Sequence, residues 1–135
     1  MKKIFVVDND LAMCELMTMA FRHRGHEIVA CCSPKIVREA LENGQCAALL
    51  MDYHLGMGES GVGYVRAWSS QFGLPPTWIV TGTPGAEDLR EVEALPGFMA
   101  VISKPFAILD LVAAVLAAVV PSAASAPALE REAGS

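Results

Sequence analysis

The sequence predicts an α/β protein in which a parallel β-sheet is covered by helices on both faces. Short apolar runs, typical of buried strands, alternate along the chain with longer segments of helical pattern. Such alternation is typical of βαβ units. The runs are apolar at nearly every position, as expected of strands that are buried on both faces. A length of 135 residues is enough for one domain with its own core.

Five strand–helix units are predicted, and capping and turn residues mark their limits. Ser33-Pro34 is typical of a helix N-cap followed by proline in the first turn. Gly25 and Gly73 are placed to end helices. Residues 53–60 show no clear periodicity and are predicted to form a loop. The predicted strands are 3–8, 27–32, 46–52, 77–81 and 99–103, and the predicted helices are 11–24, 33–44, 61–72, 86–95 and 106 or 107 to 120.

Five units of this length favour a flavodoxin-like (βα)5 three-layer sandwich with strand order 2-1-3-4-5. In that order the first and third strands flank the point where the strand order reverses, so Asp8 and Asp52 would face each other across the crevice. Residues 1–120 are predicted to form this domain. Residues 121–135 are rich in Ala, Ser and Pro and are predicted to be a disordered tail.

Polar residues stand just past the carboxyl ends of four apolar strands, which is where open parallel sheets build their sites. Each of them alone is more often a helix cap, a turn residue or an ordinary strand exit. Their joint occurrence, in order and at the correct strand ends, indicates a functional site. The residues are Asp8 and Asn9 after the first strand, Asp52 after the third, Thr81 after the fourth and Lys104-Pro105 after the fifth.

This set resembles the receiver domain of two-component response regulators, in a single-domain form similar to the chemotaxis regulators, which accept a phosphoryl group on an aspartate. The resemblance covers about residues 2 to 120. It implies Mg²⁺ as cofactor and a cis peptide bond before Pro105 that aims the preceding lysine inward. The implied roles are phosphoacceptor for Asp52, Mg²⁺ ligands for Asp8, Asn9, Asp52 and the backbone carbonyl of His54, and contacts to phosphoryl oxygens for Thr81 and Lys104.

The sequence departs from this family's pattern at three places. Asn9 stands where a second acid is usual, so Mg²⁺ is expected to bind more weakly. Val101 stands where a Tyr or Phe usually turns inward as the threonine moves, so the usual coupling is not expected. Leu55-Gly56 replaces a Met-Pro pair, and the residues from Asp52 to Leu55 look like receivers of some hybrid histidine kinases.

Three functions compete at this point. The first is a stand-alone receiver that takes a phosphoryl group from a sensor histidine kinase or phosphotransfer protein, turns over no external substrate and signals through protein contact. The second is a degenerate receiver that binds proteins without phosphorylation, which Asn9 and Val101 favour. The third is a flavodoxin-like redox protein or small phosphatase. Acids in the first βα turn would repel a flavin phosphate, and His54 stands where such a phosphatase has its second acid.

The last predicted helix is apolar nearly all round, with Asp110 as its only polar side chain after residue 107. A helix on a sheet needs an apolar stripe of only about 100°. Leu109, Val112 and Leu116 are therefore candidates for a homodimer or effector surface. The alternative is that small alanines form the exposed side.

Composition excludes several other classes of function. A net charge of −5 with scattered basic residues argues against nucleic-acid binding. No apolar run reaches the roughly 18 residues needed to span a membrane, and the N-terminus lacks a signal-peptide pattern, so a cytoplasmic location is expected.

The four cysteines show no metal-binding spacing. In a reducing compartment they are expected to be small buried hydrophobes rather than redox or metal-binding groups, and the fold does not need disulfides.

Overall fold

The computed structural model of this chain describes residues 2–30 and 33–119. Its secondary structure follows the predicted alternation of strands and helices. A 3-10 turn, Glu87–Leu89, leads directly into the fourth helix. The strands are β1 (Lys3–Val7), β2 (Ile28–Ala30), β3 (Cys46–Asp52), β4 (His54–Gly56), β5 (Glu59–Ser60), β6 (Thr77–Thr81) and β7 (Phe98–Ser103), and the helices are α1 (Leu11–His23), α2 (Pro34–Glu42), α3 (Gly61–Phe72), α4 (Arg90–Glu93) and α5 (Ile108–Val119).

Five strands form one parallel sheet in the order β2-β1-β3-β6-β7. Counting only these five, the order is 2-1-3-4-5, which confirms the predicted flavodoxin-like three-layer topology. β1 lies between β2 and β3, and in its register with β3 Val7 stands beside Met51. The carboxyl ends of β1 and β3 therefore meet at the same edge of the sheet, as the sequence predicted for the two strands that carry the acids.

The core lies in two layers, one on each face of the sheet, and alternate residues of each strand enter opposite layers. Ile4 and Val6 of β1 pack with residues of α1 and α5. Phe5 and Val7 face the other layer, which α2 and α3 cover together with Leu89 of the 3-10 turn. Because both faces are covered, the central strands are apolar at almost every position.

Polar side chains cap the first three helices. Asp10, Ser33 and Ser60 each accept a hydrogen bond from a backbone N–H in the first turn of α1, α2 and α3. These bonds satisfy donors that have no partner within the helix. The caps at Asp10 and Ser33 confirm the predicted starts of the first two helices.

Two segments differ from the sequence-based expectation. The loop predicted at 53–60 contains β4 and β5, which pair as a two-stranded antiparallel ribbon. Met57 at its tip is fully exposed and has a positive φ of 52°. The acidic helix predicted at 86–95 is reduced to the 3-10 turn and the four residues of α4. Pairing over two or three residues and a helix of one turn are both too short to leave a periodic pattern.

The partner surface predicted on the last helix is corrected by the orientation of α5. Val112 and Leu116 are buried in the core against the sheet, so they cannot contact a partner. Leu109 remains, with 70% of its surface exposed. The outer side of α5 is otherwise formed by Asp110 and by Ala113, Ala114 and Ala117, which is the alternative that the sequence left open.

The cysteines divide into two kinds. Cys46 is buried outside any disulfide, as predicted, and its thiol donates to the carbonyl oxygen of Ala48 at 3.4 Å. Cys14 is disulfide-bonded, which the sequence did not lead us to expect. The tail predicted at 121–135 also lies outside them. Across the two described stretches, no helix is long and apolar enough to cross a membrane.

Candidate functional site

Three charged side chains meet at the carboxyl edge of the sheet, and we call them the acceptor group: Asp8, Asp52 and Lys104. Both carboxylates are buried, with 6% and 5% of their surface exposed. The Lys104 Nζ atom lies 3.2 Å from Asp52 Oδ1 and 4.0 Å from Asp8 Oδ2. Two buried acids thus share one ammonium group. This was expected, because the three residues stand at the carboxyl ends of three strands of one parallel sheet.

Backbone pairing holds Lys104 in this position. Its N–H donates to the carbonyl oxygen of Thr81 at 2.8 Å, which extends the pairing of β6 and β7 by one residue. The Lys104–Pro105 peptide bond is cis, which confirms the expectation from the sequence. The lysine is therefore fixed at the end of a strand, and the chain turns away immediately after it.

The charges of the acceptor group act on Asp52 in opposite directions. Burial and the nearby charge of Asp8 raise the pKa of Asp52, whereas the hydrogen bond and the positive charge of Lys104 lower it. The net result is a pKa above the ordinary value, because desolvation is the largest contribution. Two carboxylates with a single ammonium leave a negative balance, and a further cation at this edge would relieve it.

The residues available to a metal ion are few. In the part of the chain that the structure describes, no group of three or more His, Cys, Asp and Glu side chains is arranged to hold a metal. Asp8 and Asp52 remain, and Asp8 Oδ1 already accepts the N–H of Asp10 at 2.9 Å. Asn9 is exposed beside them. This donor set fits Mg²⁺, which binds through one or two carboxylates and keeps several waters.

Asp10 does not replace the second acid that is usual at the position of Asn9. Its side chain accepts the N–H of Met13 at 3.2 Å and caps α1. Its carboxylate is therefore engaged at the start of the helix. The negative charge of the site comes from Asp8 and Asp52.

Thr81 lies at the same edge, but its hydroxyl is bonded to Thr83 rather than to the acceptor group. Thr81 Oγ1 accepts the N–H of Thr83 at 2.9 Å and lies 3.1 Å from Thr83 Oγ1. The position between them is Gly82, where a Cβ atom would have no neighbour within 4 Å. The space beside Gly82 is therefore open, whereas Thr81 itself is fully buried.

His54 begins β4, two residues after Asp52, and its side chain is exposed. Its Nε2 atom lies 3.5 Å from Thr83 Oγ1. The sequence assigned a role only to its backbone carbonyl, and it gave no role to Thr83. The available signal was the Thr81 hydroxyl itself, because a threonine side chain can accept the N–H two residues further along and close a turn.

Gly61 was also given no role by the sequence, although it supports the site. It begins α3 directly against the end of β3, where a Cβ atom would overlap the backbone oxygen of Asp52 and the side chain of Met51. The Gly61 N–H donates to the carbonyl oxygen of Tyr53 at 2.9 Å. The absence of a side chain lets the helix fix the backbone on which Asp52 stands.

The sequence matches the response regulator receiver domain family over residues 4–116. The chain belongs to that family. The match includes Asp8, Asp52 and Lys104, so the resemblance inferred from the sequence is confirmed.

Solved structures of receiver domains have the same fold. A CheY-like receiver domain from Methanospirillum hungatei is 22% identical, with a TM-score of 0.72 over 85% of this chain and 90% of that chain. The chemotaxis protein CheY4 of Vibrio cholerae is 18% identical, with a TM-score of 0.71 over 87% and 98%. The N-terminal domain of a response regulator/sensory box/GGDEF protein from Carboxydothermus hydrogenoformans is 23% identical, with a TM-score of 0.69 over 87% and 94%. No curated protein matches the sequence.

Proposed function

We propose that this receiver domain accepts a phosphoryl group on Asp52 from a sensor histidine kinase or a phosphotransfer protein. The observation that carries the proposal is the acceptor group, in which the Lys104 ammonium lies 3.2 Å from a buried carboxylate of Asp52 with Asp8 beside it. Such a lysine can neutralise a carboxylate at rest and a phosphoryl oxygen after transfer.

The reaction is a simple displacement at phosphorus. An oxygen of the Asp52 carboxylate attacks the phosphorus of a phosphohistidine, the P–N bond breaks, and an acyl phosphate forms on Asp52. Water later cleaves the P–O bond and returns the carboxylate. The protein contributes position and charge rather than covalent chemistry of its own. The domain thus catalyses its own phosphorylation and hydrolysis, and no turnover of an external substrate is part of the proposal.

Three side chains have distinct parts in this reaction. Asp52 must be ionised to attack, and Lys104 favours that form against the opposing effects of burial and Asp8. Thr81 turns its hydroxyl from Thr83, to which it is now bonded, toward a phosphoryl oxygen. Bound Mg²⁺ supplies positive charge to the transferring oxygens. Asp8, Asn9, Asp52 and the backbone carbonyl of His54 are the residues proposed to hold that ion.

The output is proposed to pass through protein contact, in a cytoplasmic, stand-alone receiver. Of the surface first considered on α5, Leu109 remains available to an effector or a second copy of the chain. Met99 on the edge strand β7 is also half exposed. Both side chains are offered as part of a contact surface, and neither is needed for phosphorylation.

The test is incubation with Mg²⁺ and acetyl phosphate, followed by intact mass measurement. We expect a mass increase of one phosphoryl group that requires Mg²⁺ and is absent from Asp52→Asn. The matched control is Asp110→Asn, which removes an exposed acid from α5 and should leave the adduct unchanged.

A degenerate receiver that binds proteins without phosphorylation is the second candidate. Two observations favour it: Asn9 removes a charge from the metal site, and Val101 packs half-buried against the core in place of an aromatic side chain. No adduct on the wild-type protein at saturating Mg²⁺ would contradict the first proposal and support this one.

A further inference from the structure

Tyr53 stands at the meeting point of the phosphoacceptor and the fourth helix. It follows Asp52 directly in the chain, and its N–H donates to the carbonyl oxygen of Val80 at 2.9 Å. Its half-buried side chain reaches across to the 3-10 turn, where the hydroxyl donates to Asp88 Oδ1 at 2.7 Å. The two residues are 35 positions apart in the sequence. One residue thus connects the end of β3 with the segment that precedes α4.

Residues 82–93, which comprise the loop after β6, the 3-10 turn and α4, are called here the response segment. Its helical part is too short to be stable in isolation. Leu89 and Val92 are its buried side chains, while Gly82 to Gly85 are exposed. At its start the segment is held by the N–H of Thr83, which donates to Thr81 Oγ1. Besides burial, the position of its helical part depends on the bond from Tyr53 to Asp88 and on an exposed ion pair of Arg66 with Glu91 at 2.9 Å. An exposed pair of that kind contributes little, so the bond from Tyr53 to Asp88 is the main polar contact of the helical part.

The side chain of Tyr53 is also connected to Thr81. Its ring packs edge-on against the ring of His54, with centroids 4.6 Å apart and an interplanar angle of 87°. His54 Nε2 in turn lies 3.5 Å from Thr83 Oγ1. Thr83 holds the Thr81 hydroxyl through its N–H and lies at the start of the response segment. A continuous series of contacts therefore joins Thr81, Thr83, His54, Tyr53 and Asp88.

The backbone closes these contacts into a ring. The carbonyl oxygen of Thr83 accepts the N–H of Ala86 at 3.1 Å, and the carbonyl oxygen of Ala86 accepts the N–H of Leu89 at 3.2 Å. Thr83 is thus bound to the first turn of the response segment by its main chain and to Asp88 by way of His54 and Tyr53. A movement of Thr83 cannot leave both connections unchanged.

We propose that Tyr53 transmits the phosphorylation state of Asp52 to the response segment. The inference rests on the proposed function, because it is the turn of the Thr81 hydroxyl toward the phosphoryl group that releases Thr83. Once released, Thr83 no longer holds His54 and Tyr53 in their present contacts, and the bond to Asp88 loosens. Tyr53 acts here as a positioning residue. Tyr53, which is next to the phosphoacceptor, would thereby couple the movement of Thr81 to the response segment. In the family this coupling involves an aromatic residue at the position of Val101.

Val101 is unsuited to this coupling for a structural reason. It packs, half-buried, against the same core cluster as Leu89 and Val92. A valine side chain has no polar atom with which to form a hydrogen bond, and it is too small to move between a buried and an exposed position as an aromatic ring does. Tyr53, by contrast, presents a ring to His54 and a hydroxyl to Asp88, so it can report a change at either contact.

The test uses the full chain and two measurements on each sample. Intact mass after treatment with acetyl phosphate and Mg²⁺ measures phosphorylation, and hydrogen–deuterium exchange measures protection of the amides in residues 83–93. In the wild type we expect the adduct to increase exchange there. Tyr53→Phe keeps the ring but removes the hydroxyl. We expect it to form the adduct normally, to exchange faster in residues 86–93 before phosphorylation, and to lose the adduct-dependent change.

Two further variants make the outcome specific. Tyr64→Phe removes the other tyrosine hydroxyl, on α3, which bonds to Glu59 and not to the response segment; it should behave as the wild type. Thr83→Val removes the hydroxyl that lies between Thr81 and His54 and should also lose the adduct-dependent change. A full wild-type change in phosphorylated Tyr53→Phe would overturn the inference while leaving the proposed function intact. The absence of any adduct on the wild type would overturn both, and the mass measurement separates the two results.

Discussion

The acceptor group and the response segment lie at the same edge of the sheet but are held in different ways. Asp8, Asp52 and Lys104 stand at the ends of strands whose backbones are paired within the sheet, and both acids are buried. The response segment is a largely exposed loop with a single turn of helix, fixed by two buried side chains and a few polar bonds. A rigid site therefore adjoins a segment of low local stability.

This difference is what a phosphorylation-dependent switch requires. In the proposed phosphoryl transfer, the acceptor group must already have its geometry when the phosphodonor arrives, because transfer depends on position and charge. The neighbouring segment must be able to change, because a fully packed element has no second arrangement to adopt. Four predictions test this contrast, beginning with the largest expected effect.

Removal of the Lys104 ammonium should affect the acceptor group most. In Lys104→Gln, the phosphoryl oxygens and the Asp52 carboxylate lose their cationic partner. The rate of adduct formation should fall by roughly 10²–10³-fold, as when one donor to a developing charge is removed. The measurement is the time course of the mass increase with acetyl phosphate. Lys35→Gln, on the exposed side of α2, is the control and should follow the wild-type time course.

Addition of a single methyl group at Gly61 should destabilise the whole domain. Gly61→Ala brings a Cβ atom into the backbone oxygen of Asp52, and overpacking of this kind costs about 1–3 kcal/mol. The control is Gly63→Ala in the same helix, where a Cβ atom meets nothing within 4 Å. It should stabilise by about 0.5–1 kcal/mol. Urea unfolding at equal protein concentration measures both, and a shift in the same direction for the two variants would contradict the proposed contact.

The raised pKa of Asp52 predicts a dependence of stability on pH. Because the folded protein holds this proton more tightly than the unfolded chain, the contribution of Asp52 to stability falls as the pH rises above the ordinary value of 3.8. Asp52→Asn removes that loss. Without Mg²⁺, the variant should gain in stability relative to the wild type between acid and neutral pH. Urea unfolding at several pH values measures this, and Asp110→Asn should show no such gain.

The smallest effect is expected in the response segment. Arg66→Gln breaks the exposed ion pair with Glu91, in which both side chains are about half exposed. Global stability should change by no more than about 0.2–1 kcal/mol, while exchange of the amides in residues 90–93 should increase. Urea unfolding and hydrogen–deuterium exchange measure the two quantities. A large loss of global stability would show that the response segment is held as firmly as the acceptor group.

The elements best predicted from the sequence are those with long, uninterrupted patterns. The bounds of β3, α3 and β6 agree with the prediction at every residue, since each is an apolar or amphipathic run between clear turn residues. The ribbon of β4 and β5 and the shortness of α4 were missed, because so few residues carry no periodic signal. On α5, an apolar sequence with many alanines did not reveal that Val112 and Leu116 face the sheet.

In the candidate site, too, some features were predicted from the sequence and others were not. Asp8, Asp52, Thr81 and Lys104 were predicted together because strand order alone brings the ends of their strands to one edge. The bonds of Thr81 to Thr83 and of Tyr53 to Asp88 were not predicted. The first depends on the local turn of the loop and the second joins residues from distant parts of the chain.

The sequence by itself determined the family, the parallel sheet and the residues of the acceptor group, because apolar runs and the polar residues that end them are local features of the chain. Only the tertiary structure decided which side chains form ion pairs and hydrogen bonds, which face of α5 is buried and which contacts hold the response segment. Those properties depend on distances of a few ångströms between residues far apart in sequence. Such distances arise only when the helices have packed on both faces of the sheet.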